Sequence, residues 1–158
     1  SPHKELVLVA AEADGRVRLA HADNNDEGTL KSFADSQIAS DSQVVTDGLA
    51  SYNSESLGQR PHQAVIQTKQ ERRESDALQG CHWTVSLLKR WLLGTHAGAV
   101  KPKHLQAYLD EFAFRFNRRK TNGVGRIAAR TIEQLVARPP LTMKMLIRET
   151  VPCRAFRS

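Results

Sequence analysis

Three side chains of different chemistry stand at spacings that invite a joint reading: the carboxylate of Asp47, the imidazole of His82 and the ammonium of Lys89. Asp47-Gly48 follows Gln43-Val44-Val45-Thr46, a brief strand, so the carboxylate is expected at a strand's carboxyl end, where open α/β sheets present functional groups. His82, Ser86 and Lys89 fall at i, i+4 and i+7 of one helix, and two turns bring the ends of that set to one face, roughly 10 Å apart. Singly, each has a plainer use: an Asp before Gly makes turns, a His at a helix start caps it, and Lys89-Arg90 solvates a face. A second set, Arg115, Asn117, Arg118, Arg119 and Lys120, closes the following helix. With Lys89 and Arg90 it forms a cationic group suited to phosphates, with no base-reading helix in evidence.

These residues need two amphipathic helices, over 82–95 and 102–117, joined by a short Gly-containing turn. Val85, Leu88, Trp91 and Leu92 form the apolar stripe of the first. Pro102 suits a first turn, and Leu105, Tyr108, Leu109, Phe112 and Phe116 line the second helix's buried side. Upstream, Leu6–Ala11 reads as a buried strand, and Val17–Ala22 alternates, so the pair is expected as an antiparallel hairpin about Asp14-Gly15 with one wet face. A helix capped near Asp26 follows, with Leu30, Phe33 and Ala34 inward. The sequence further predicts a short helix over 48–57, a strand over 62–68, a charged loop over 69–79, a helix over 127–137 and a helical turn over 143–147. The order suggests α/β architecture, one mixed sheet with helices packed on it. Residues 1–122 form the expected folded domain and 123–158 a basic helical or irregular tail.

Charge is uneven: residues 1–60 carry about −5 and residues 61–158 about +11, within a net +6. A pI near 9.7 makes nucleic acid the leading partner on electrostatic grounds. Two cysteines, Cys81 and Cys153, without a CxxC pair, indicate neither a disulfide framework nor a structural zinc site. A reducing cytoplasm is the expected compartment. No apolar run reaches transmembrane length, so no membrane partner is expected.

The blocks TDGLASY (46–52), HWTVSLLKRWLLGTHAGAV (82–100) and HLQAYLDEFAFRFNRR (104–119) resemble the DDE-type transposases of bacterial insertion sequences, in the branch related to Merlin elements with a D-D-H-K style motif. The resemblance covers most of residues 6–120. It implies an RNase H-like (retroviral-integrase-like) fold and metal-dependent cleavage and joining of DNA, with transposon ends and target DNA as partners. Asp47, His82 and Lys89 take the catalytic positions, and Asp47 and His82 the metal positions. Such chemistry needs charge on both attacking and leaving oxygens, which two Mg or Mn ions about 4 Å apart supply when acids hold them. An imidazole in place of a carboxylate shifts preference toward Mn. Lys89 suits a non-transferred phosphate.

The resemblance also places a first acid on a strand ahead of Leu6–Ala11, and no such block is present; Glu12 and Asp14 lie after that strand. The chain is therefore expected to be the carboxyl-terminal part of a catalytic domain, lacking its first strand. It would hold metal weakly and be inactive alone, unless completed by an upstream fragment or by another copy. Two other readings stand beside this one: a DNA-binding remnant without a reaction, and a nuclease that uses Glu12, Asp47 and His82 with Glu12 within about 5 Å of Asp47.

Overall fold

The computed structural model describes residues 5–13, 15–96, 100–137 and 139. Its elements run β1 (Leu6–Ala11), β2 (Val17–Ala22), α1 (Glu27–Gln37), β3 (Val44–Thr46), β4 (His62–Ala64), α2 (Lys69–Glu74), α3 (Gln79–His96), α4 (Pro102–Asn117) and α5 (Val124–Val136). Asp14, the Gly98 turn and the expected helical turn over 143–147 lie outside the described residues.

β1 and β2 pair antiparallel from Leu6↔Ala22 to Ala11↔Val17, as the alternation predicts. Period 2 then decides what each face meets. Val7, Val9, Ala11, Val17 and Leu19 meet Leu88 of α3 and Leu105, Leu109, Phe112 and Phe116 of α4 in the main core. The opposite face was expected to be wet, but Leu8 and Ala22 pack there against Leu30 of α1, with Phe33 and Tyr52 alongside. The hairpin is thus the middle layer of three. α1 is held in place at its start by Asp26, whose carboxylate accepts from the Thr29 backbone N–H at 2.8 Å.

α4 does more than cover the hairpin. β2 is an edge strand, and alternate residues direct backbone groups away from β1. Asn117 accepts from Val17 N–H at 2.8 Å and donates to Val17 C=O at 3.0 Å. Three turns earlier, Gln106 accepts from His21 N–H at 2.8 Å and donates to Asp110 at 2.9 Å. Two amides of one helix thereby satisfy the outer edge of the strand, and they fix α4 antiparallel to it.

The single mixed sheet is not what forms. β3 and β4 pair parallel in a separate two-stranded sheet. β4 ends at Ala64, short of the expected strand over 62–68. Residues 48–57 form turns rather than a helix, with Gly48 and Gly58 at positive φ and Asn53 bonded to Ser56. The expected loop over 69–79 holds α2, capped by reciprocal bonds between Thr68 and Glu71. Arg60, 6% exposed, ties the two halves: it donates to Asp35 and to the carbonyls of Ile38, Ala39 and Leu57. Among the described residues no helix is long and apolar enough to cross a membrane.

Candidate functional site

Asp47 stands at the carboxyl end of β3, exposed, with its Oδ1 accepting from Leu49 N–H at 3.3 Å. The strand end is fixed from two sides. The Thr46 hydroxyl bonds the His62 ring at 2.8 Å. Gly48 sits at φ +78°, where a Cβ would come within 2.8 Å of Ile66 Cγ1, so the turn after Asp47 needs glycine.

His82 opens α3. Its Nδ1 lies 2.6 Å from Asp76 Oδ2, and the other Asp76 oxygen accepts from Leu78 N–H at 3.0 Å. That bond to His82, ahead of the backbone one, holds the Asp76 carboxyl below the usual range despite partial burial. An ionised Asp76 can only accept, so Nδ1 carries a proton and Nε2 is the ring atom left for a ligand: a lone pair when the ring is neutral, a donor when it is charged. Gln67 steadies the turn, donating to Ser75 C=O at 2.6 Å and accepting from Ala77 N–H at 3.0 Å. Ser86 and Lys89 continue the same helical face, both exposed.

Tyr52 follows the Asp47 turn by five residues. Its ring packs on the second core cluster, and burial raises its phenol pKa, with smaller contributions from the negative charges of Asp47 and Cys81. At neutral pH the Tyr52 hydroxyl therefore keeps its proton. Burial raises the Cys81 thiol pKa as well, and the Ala11 backbone opposes that in part. At Gly80 an added Cβ would stand 3.1 Å from Ala11 Cβ, so the start of α3 sits close against the end of β1. No hydrogen bond or ion pair joins Asp47 to His82 directly. Sequence reasoning passed over Tyr52 and Asp76. Tyr52 was in plain view inside TDGLASY, whereas Asp76 lies outside the helical period and carried no signal.

The donor set falls short of a closed two-cation site: among the described residues no group of three His, Cys, Asp or Glu side chains could hold a metal ion. Glu12 sits in the hairpin loop, bonded through its backbone to Gly15 and Arg16, and does not form such a group with Asp47 and His82.

The cationic residues divide by geometry. Lys89, Arg90 and Lys120 are exposed. Arg115 pairs with Glu111 at 2.8 Å on the open surface. Arg118 lies 3.8 Å over the Phe114 ring, and its pKa is lowered, first by burial and then by the charges of Arg130 and Arg16. Arg119 donates to the carbonyls of Gly15 and Phe116. Asn117 is held by Val17, a structural use of a residue expected at the phosphates.

Neither a comparison with curated proteins nor one with solved structures finds a match. Residues 1–117 match the model of the ISXO2-like transposase domain, a span that takes in the hairpin, the Asp47 turn, the His82–Asp76 pair and all of α4. The chain belongs to that family of insertion-sequence transposases.

Proposed function

We propose that the rim formed by Asp47, Tyr52, His82 and Lys89 receives the end of a transposon DNA and is where cleavage and strand transfer of transposition take place, in an RNase H-like domain of the Merlin-related D-D-H-K kind. The observation that carries this is the His82–Asp76 pair, which engages Nδ1 and leaves His82 Nε2 as the ring atom for a ligand, near the start of a helix whose exposed Lys89 lies two turns along the same face. Family membership makes DNA the partner. Lys89 addresses a phosphate as a point charge, and Tyr52 keeps a neutral hydroxyl beside Asp47.

Mg or Mn would find two donors here, the Asp47 carboxylate and His82 Nε2, and would supply charge to the scissile phosphate. Two donors hold such an ion weakly, so the remaining ligands must come from another segment or another copy, and the described residues alone should give no strand transfer. What the chain's own residues do is bind and orient the DNA end. The test is binding of a transposon-end duplex across a salt series. His82→Ala and Lys89→Ala should each weaken binding, and Lys89→Ala should flatten the log–log salt slope by about 0.9. Unchanged slope and affinity in both variants would remove the rim from the DNA path.

A further inference from the structure

Between α3 and α4 runs a groove of about 470 Å³ on a different side of α3 from the His82–Lys89 face. Its walls are aromatic. Trp83, 49% exposed, meets Phe116 edge-on at 5.4 Å, and Trp91 meets Phe112 at 5.7 Å, while the two phenylalanines stack at 5.6 Å. Trp83 and Trp91 are eight residues apart on α3, roughly 12 Å along its axis. The rim is cationic: Arg90 projects from α3, Arg115 from α4, and Arg119 lies 4.0 Å over the Phe116 ring and 5.4 Å from the Trp83 ring. Trp91 is half-buried against the main core and shows the groove only part of its ring, whereas a core would bury the Trp83 ring and here it stays open.

We propose that this groove binds unpaired DNA, with a base stacked on Trp83 and flanking phosphates on Arg90 and Arg115. Aromatic faces accept any unstacked base, and guanidinium groups at the edge take the backbone; duplex bases, stacked on each other, cannot use the indoles. The arginine rim and the net charge of +6 favour an anionic chain over a neutral peptide. Lys89 and Arg90 are consecutive, so a strand leaving the face described above reaches the groove in one residue step of α3. The inference rests on the reading of DNA as partner, but on other residues than the rim.

The chain holds two tryptophans, both lining the groove, so all of its indole fluorescence reports on this site. The full chain is titrated with short oligodeoxythymidylate, a blunt duplex of equal length, inorganic polyphosphate and an acidic aromatic peptide, following tryptophan emission and, with labelled DNA, anisotropy. The single strand should quench the emission saturably, while duplex and polyphosphate leave it unchanged. Trp83→Ala should weaken single-strand binding about 5- to 150-fold, Trp83→Phe only slightly, and neither should change duplex binding by more than about twofold. Absence of quenching by the single strand, equal quenching by duplex or polyphosphate, or quenching by the peptide alone would overturn the proposal, whatever the folding of the variants. If the duplex binds but the single strand does not quench, the groove reading alone fails; if no DNA binds, the reading of the rim fails with it.

Discussion

Asn117→Ala separates a structural amide from a phosphate contact. Val17 is 1% exposed, and Asn117 alone answers both its outward N–H, at 2.8 Å, and its C=O, at 3.0 Å. Removing the amide leaves two partly buried backbone groups without their partner, each costing about 1–3 kcal/mol, so the variant should lose on the order of 2–5 kcal/mol. Asn117→Asp keeps the acceptor but sets a carboxylate against the Val17 carbonyl, and should recover little of that. In urea unfolding, with a slope of about 2 kcal/mol per molar, the midpoint should fall by roughly 1–2.5 M without a change in slope. Hydrogen exchange should show the Val17 amide losing protection first. A midpoint shift below about 0.3 M, the size of a surface change, would refute the edge-strand argument and return Asn117 to the DNA-facing set.

Phe112→Ala should destabilise by about 3–5 kcal/mol in the same assay, since Phe112 is packed between Trp91 and Phe116; an unchanged midpoint would take it out of the core. Arg60→Ala should cost on the order of 3 kcal/mol and Arg60→Lys nearly as much, because one ammonium cannot reach Asp35 and three carbonyls; full rescue by lysine would reduce Arg60 to a point charge. Tyr52 favours its neutral form in the fold, so its contribution is present below about pH 10 and is lost as pH rises through its raised value. Asp47→Asn should lower that ionisation in an ultraviolet titration, and no change would mean that Asp47 does not face Tyr52. Asp76 works in the opposite sense: its contribution is present above about pH 3.9 and is lost as pH falls through its depressed value. His82→Ala should move the Asp76 carboxyl back toward the usual range by NMR titration; an unmoved value would deny the pair.

The legible parts of this chain were those with a period. The hairpin, α1, α3 and α4 follow from alternation or an apolar stripe, and Leu88, Leu105, Leu109, Phe112 and Phe116 are buried where the pattern put them. α2 has no buried residue, so no stripe announced it, although Thr68 and Glu71 stand at capping-box spacing. Residues 48–57 carry apolar residues at near-helical intervals, yet Gly48, Asn53 and Ser56 prefer local turns that outcompete the helix. Gln106 and Asn117 were unreadable for another reason: an amide beside an apolar stripe meets water or a strand edge depending on tertiary register, which no local pattern contains. In the same way Asp47, His82 and Lys89 could be named from their order, whereas Asp76 became visible only through its bond to His82, and Tyr52 only through its place on the second core cluster.

If the end of β3 and the start of α3 form one cation- and phosphate-receiving rim, paramagnetic broadening by Mn will report both elements at once. As Mn is added to the isotopically labelled chain, the backbone resonances of Asp47, Tyr52 and His82 should broaden together, ahead of the exposed acids Glu71 and Glu74. Asp47→Ala should abolish the broadening at His82 as well as at its own turn. Broadening confined to one of the two elements, or led by Glu71 and Glu74, would contradict the account.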